Sequence, residues 1–315
     1  MAAAEPHAPG AARRRLRAWL DGDIADSLRR SPLVIAAALV ALAFAAGAAF
    51  AGWIAPQDPF DLAALQLLDA SKPPFWLAGG ALHFPLGTDA QGRDILSAIL
   101  FGTRLSLVIG LAAVALALVL GVAIGLAAGF GGPRIDALLM RIADVQLSFP
   151  AILIALLIAG VVRDLFPRDL HHAIAVPVLI LAIALSGWPQ YARTVRGSTM
   201  VERNREYVLA ARVIGVHPAT IVRAHVLPNV LGPVLVLATV HVATAIITEA
   251  TLSFLGVGVP PTTPSLGTLI RIGNDYLFSG EWWMVVFPGL ALLLLALAVN
   301  LLGDWLRDAL NPRLR

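Results

Sequence analysis

The sequence predicts an all-α integral membrane protein with six transmembrane helices and both termini on the cytoplasmic side. Three observations predict it. Of 315 residues, 58% are hydrophobic and 14% charged, with a mean hydropathy of +0.81; a soluble domain carries roughly a quarter charged residues. Several nearly uncharged runs are long enough to cross a hydrocarbon core of roughly 30 Å, which takes about 20 helical residues. Buried helices of large soluble proteins seldom run that far without a charge. Finally, basic residues divide unevenly between the loops. With the N-terminus inside, 17 Lys/Arg fall on the cytoplasmic side and 6 outside. Loop length is similar on the two sides, so the positive-inside rule fixes the orientation.

Residues 1–31 read as a cytoplasmic tail. Its first 12 residues are rich in Ala, Pro and Gly. Residues 13–30 follow as an amphipathic helix, with Leu16, Trp19, Leu20, Ile24 and Leu28 near one face and arginines around them. Such a helix lies in the headgroup layer of a lipid bilayer. Span one is 32–54. Ala49-Phe50-Ala51 imitates a signal-peptidase site at its end, but the apolar run is longer than a signal core and the basic region before it is unusually long. Residues 55–104 complete the first unit, 32–104, as an outside segment punctuated by Pro56, Pro59, Pro73, Pro74 and Pro85.

A five-helix core, 105–303, follows. Span two is 105–130. It carries Gly121, Gly125 and Gly129 at four-residue spacing, a smooth groove for close helix packing. Span three, 145–162, begins beside Asp144, read as a helix-start or packing charge. Span four is 173–189, span five 230–256 and span six 282–303. Glu249 lies inside span five. A charge at bilayer depth must face protein or water, as a hydrogen-bonded structural group or as a gate or pathway contact. Residues 304–315 form a cytoplasmic C-terminus.

Composition also excludes function classes. There is no cysteine, hence no disulfide and no cysteine metal site. The single lysine, Lys72, sits in Ser-Lys-Pro-Pro, so the chain has no phosphate-binding Gly-Lys-Ser/Thr loop; ATP, if it drives this protein, binds another chain. The histidines are scattered, with His83 and the His171-His172 pair read as loop residues, and no metal site is expected. No HExxH or GxSxG pattern supplies catalytic residues, and none are expected.

The least ordinary stretch is 191–229, between spans four and five. It reads as two helical halves projecting from the membrane. Glu206, Ala210, Ala211 and Arg212 lie on the first half. Gly215 ends it, because glycine takes positive φ freely. Val216 and His217 lead to Pro218, pre-set for a helix start. His225 and Leu227 follow, and Pro228 opens the next span. The paired small alanines admit a partner surface closely.

Ala210-Ala211, three residues, Gly215, nine residues and His225-Val226-Leu227-Pro228 resemble the EAA loop of ABC importer permeases. The general pattern has Glu directly before the alanines, where this chain has Leu209, and Ile where it has His225. The form Glu-Tyr-x-x-Ala-Ala-Arg…His-x-Leu-Pro-Asn resembles the dipeptide/oligopeptide/nickel branch. Residues 86–110 and 252–313 resemble the same branch, and the order of features resembles its C-type subunit. The resemblance covers nearly the whole chain beyond residue 30.

It implies a type I importer permease (MetI-like) fold paired with a second, homologous permease subunit. Two ATPase subunits or domains would carry ATP and Mg, with no cofactor on this chain. An extracytoplasmic solute-binding protein would deliver cargo; no nucleic acid partner is implied. The residues around Gly215 to Arg223 would include the coupling helix that docks on the ATPase. Di- or oligopeptides lead as cargo, with nickel, glutathione or another peptide-like solute open. An independent secondary transporter would leave the 191–229 stretch without a purpose.

Overall fold

The computed structural model describes residues 27–28, 31–61 and 65–309. The expected amphipathic helix over 13–30 lies almost entirely outside them. Among the described residues the regular elements are helices, and the one β feature is an isolated antiparallel bridge between Thr88 and Asp94.

Helix α1, Pro32–Ala49, starts with proline in its first turn. Helix α2, Ile95–Phe130, has 36 residues and begins ten residues before the expected span. Asp94 caps it, accepting from the Ser97 amide at 2.7 Å. The capping aspartate, not the end of the apolar run at Arg104, sets the start. Gly131 and Gly132 (φ +94°) turn the chain into α3, Pro133–Leu147.

Span three departs from expectation. Helix α4, Ala151–Leu165, follows α3 at a bend of 96°. Pro150 supplies no N–H and biases Phe149 away from helix, so the ladder breaks there. Asp144 is therefore near the end of α3 rather than at the start of a span. Its carboxylate meets Arg193 at 2.5 Å, the packing role of the two expected.

Helix α5, His171–Glu202, runs 32 residues, so the first part of the 191–229 stretch continues span four. A short helix, α6, spans Glu206–Val213. A turn at Pro218–Ile221 and a π-turn at Val222–Val226 lead without interruption into α7, Leu227–Phe254. Pro228 therefore lies in a continuous helical stretch, Pro218–Phe254, just behind the wider π-turn. Helices α8, Leu266–Tyr276, and α9, Trp283–Ala309, complete the fold. By length and composition five helices can cross a membrane, or six if the bent pair α3–α4 is one span.

The glycine ladder sets the central packing. A Cβ on Gly121 would lie 2.3 Å from Tyr191 Cβ, one on Gly125 2.6 Å from the Ala192 carbonyl, and one on Gly129 2.7 Å from Thr199. Both series rise together, so α2 and α5 run parallel in backbone contact, and the groove serves the chain's own fourth span. Against α7, α2 runs antiparallel: Gly110 meets Ile246 and Ser106 meets Glu249.

At one end of the bundle the 65–94 segment forms a cap. Trp283 Nε1 donates to the Thr88 carbonyl (3.1 Å), Ser71 Oγ to Glu281 (3.1 Å) and Arg93 Nη1 to the Pro261 carbonyl (3.1 Å). Burial in this cap pushes the Asp89 and Asp94 carboxyls above the usual aspartate range. At the opposite end sits the elbow 203–226.

Candidate functional site

The elbow is built by short-range rules. Helix α6 ends in a Schellman turn: Val216 N–H donates to the Ala211 carbonyl (3.0 Å), Gly215 N–H to Arg212 (3.1 Å), and Gly215 takes φ +81° between them. A Cβ at Gly215 would meet nothing within 4 Å, so backbone conformation alone demands glycine there. His217 Nδ1 then accepts from the Ala219 amide (3.3 Å) and Pro218 takes the first position of the next turn.

One face of the elbow is locked to the bundle. Val208, Ala211, Ile221 and Val226 are buried against Tyr191 and Val195, with Val216 and Leu227 packed alongside. Ala211 thus serves the protein's own core, and only Ala210 of the expected pair is exposed. Polar ties add to this. Tyr207 donates to the Glu202 carboxylate at 2.5 Å, which holds the phenol pKa up. Asn229 Nδ2 reaches the Tyr207 hydroxyl (3.0 Å) and the His225 carbonyl (2.6 Å). Arg203 donates to the Gly129 carbonyl at 2.7 Å, and the Arg212 guanidinium lies 4.9 Å from the Phe130 ring centroid. The other face is bare. Val213 and Ile214 are 87% and 78% exposed, with Glu206, Gly215, His217 and Pro218 exposed beside them.

Glu249 is fully buried at the opposite half of α7. Ser106 and Ser253 each donate to its carboxylate at 2.7 Å. The same serines accept from the Leu266 amide (3.3 Å) and the Val259 amide (3.4 Å). Glu249 therefore organises the link between α7 and α8.

Sequence reasoning missed two features. A cavity of about 270 Å³ lies between α2, α5 and α7, bounded by the start of α4. Tyr191 and His241 line it with their rings edge-to-face, 4.9 Å apart. His241 was visible as an ionisable residue within an apolar run, a signal of function by itself. The second feature is a brace. Pro189 removes the N–H that would bond the Leu185 carbonyl within α5, and Gln146 Nε2 supplies that bond from α3 at 2.6 Å. Trp188 Nε1 in turn donates to Gln146 Oε1 at 3.0 Å.

A helical membrane bundle with a rigid exposed elbow at one end and a cavity between its spans defines a multi-pass transport subunit. Residues 121–315 match the family described as binding-protein-dependent transport system inner membrane component. The chain is 43% identical over 268 residues to the di/tripeptide transport system permease protein DppC of Pseudomonas aeruginosa (strain UCBPP-PA14), covering 85% of this chain and 84% of that protein. To the dipeptide transport system permease protein DppC of Escherichia coli (strain K12) it is 42% identical over 269 residues, 85% of each chain. A solved chain of the MetNI methionine ABC transporter, in inward-facing form, has the same fold, with a TM-score of 0.52 at 21% identity over 68% of this chain and 96% of that one. This chain belongs to the binding-protein-dependent inner-membrane permease family of ABC importers. It is a multi-pass inner-membrane transport subunit.

Proposed function

We propose that this chain forms one half of a membrane pathway for di- and oligopeptides, received from an extracytoplasmic solute-binding protein. A second, homologous permease supplies the other half. Two ATPase subunits, holding ATP and Mg, drive the pair through the elbow. The peptide cargo is supported by the names of relatives aligned over most of both chains. The orientation, elbow in the cytoplasm and the 65–94 cap outside, is supported by the 17-to-6 division of basic residues.

One observation carries the coupling role. Val213 and Ile214 stand exposed at the tip of an elbow whose other face is packed into the bundle. Apolar tip residues gain by entering a cleft on a soluble partner, and a rigid root turns a push on the tip into rotation of α5 and α7. ATP-driven closure of the ATPase pair then moves both permeases as rigid bodies around the pathway.

The test is co-purification and proteoliposome transport of the assembled importer with Gly215→Pro. Proline cannot take φ +81°. The variant inserts in the membrane but loses ATP-dependent peptide uptake and holds the ATPases weakly. Uptake equal to wild type would overturn the coupling role.

A further inference from the structure

The cavity between α2, α5 and α7 has one small apolar wall and one polar wall. Ala113, Val114 and Ala117 of α2 line the first; Ser186, Gln190, Tyr191, His241, Thr244 and Thr248 of α5 and α7 line the second, interspersed with Ile183, Gly187 and Ala245. Two of the polar groups are unspent. Tyr191 is 1% exposed, and its hydroxyl has no hydrogen-bond partner among the described residues. The His241 ring touches Tyr191 edge-on, and its nitrogens make no hydrogen bond among the described residues. His241 is half-buried, whereas the Tyr191 hydroxyl is fully buried, and a buried polar group without a partner calls for an explanation.

We propose that this polar wall is a cargo-contact site that recognises the peptide group itself. The reading rests on the peptide cargo proposed above. Neutral hydroxyls, a carboxamide and an imidazole match an amide, which both donates and accepts. No carboxylate lines the wall. Among the described residues no three metal-ligating side chains converge, so the lining does not suit a bare divalent cation. At about 270 Å³ the cavity is slightly smaller than an ordinary ligand pocket of roughly 300–1,000 Å³. It holds a short stretch of backbone, with the facing permease left to close the pathway. The apolar wall of small residues discriminates little between side chains, so the peptide group is the feature that varied cargoes share. As the bundle widens for transport, Tyr191 and His241 become the groups that cargo satisfies.

The experiment uses the full importer in proteoliposomes, with saturating binding protein loaded with alanyl-alanine or with its ester analogue, in which oxygen replaces the amide N–H. Tyr191→Phe removes a hydroxyl that bonds nothing among the described residues. With the hydroxyl accepting from the peptide N–H, which the ester lacks, the change slows amide cargo about fivefold, the size of one ordinary hydrogen bond, and leaves the ester rate near that of wild type. Taking each rate as a ratio to wild type cancels selection by the binding protein. Gly187→Leu is a second variant: a Cβ there meets only Ala117 Cβ, at 3.9 Å, so the side chain fills the cavity, and trialanine slows more than dialanine. Both variants are first checked for co-purification with the ATPases. Wild-type rates for Tyr191→Phe, or equal slowing of amide and ester, would overturn the site while leaving the peptide cargo intact. A wild-type importer that moves neither peptide with its own binding protein would overturn the cargo reading, and the site with it.

Discussion

A carboxylate in a membrane helix costs up to about 2.5–3.5 kcal/mol on insertion scales, the figure for the helix centre, and Glu249, five residues before the end of α7, is 0% exposed. Its two oxygens are occupied by the hydroxyls of Ser106 and Ser253, which also hold the amides of Leu266 and Val259. Glu249 does not line the central cavity, so of its two expected roles the geometry favours the structural one. Glu249→Gln should keep the arrangement, since each serine hydroxyl can turn to donate to the amide oxygen or accept from the amide nitrogen. Glu249→Leu should strand both hydroxyls and lose about 1–3 kcal/mol. Thermal unfolding of the purified protein in detergent checks this: the leucine variant melts clearly lower and the glutamine variant near wild type. A melting point unchanged by leucine would remove the structural role. The sequence marked Glu249 by its charge alone; the serines that receive it lie 143 residues before and 4 after, and only the local one was within reach of pattern reading.

Among the elements, α5 carries prolines at positions 177 and 189 in its interior, and each should weaken the helix by removing a ladder bond. At Pro189 the loss is made good from outside. Gln146, near the end of α3, donates to the Leu185 carbonyl that the proline leaves free, and Trp188 fixes the glutamine from its other side. The Asp144–Arg193 pair and the ion pair of Asp136 with Arg196 hold α3 against the same stretch of α5. The sharp α3–α4 bend is thus tied to the proline site of α5, and the two elements move together if they move at all. Gln146→Leu should lower stability, whereas the same change in a Pro189→Ala background should cost much less, because alanine restores the internal bond. A double-mutant cycle on chemical unfolding reads this as an interaction of about 0.5–3 kcal/mol; strictly additive effects would show that Gln146 does not serve the proline. The sequence carried the proline and the short third span openly. It did not carry their connection, since nothing local links residue 146 to residue 189.

For the whole molecule, what was legible followed from one-dimensional physics. Apolar run length gave the spans, glycine spacing gave a close helix contact, and the Gly215–Pro218 pair gave the elbow. What was not legible needed the third dimension. Ala211 looked like part of a docking face because small residues admit a partner, yet the partner it admits is the protein's own core. Spans two, four and five were drawn short because apolar runs end at the membrane surface while helices continue to their caps. The side of the membrane on which each end lies is a property of the whole chain, set by summed charge rather than by any contact. The absence of cysteine makes that property directly measurable, since any introduced cysteine is the only one. Leu68, in the cap, is 89% exposed and Ile214, at the elbow tip, is 78% exposed, so both accept a substitution with little loss of packing. With a membrane-impermeant maleimide on right-side-out vesicles, Leu68→Cys should label at once, and Ile214→Cys should label only after permeabilisation. Assembly with the ATPases should then shield the cysteine at 214 and leave the one at 68 reactive, because the proposed coupling brings the ATPases to the elbow alone. Immediate labelling at 214 in sealed vesicles would reverse the orientation and, with it, the route by which ATP could reach this subunit.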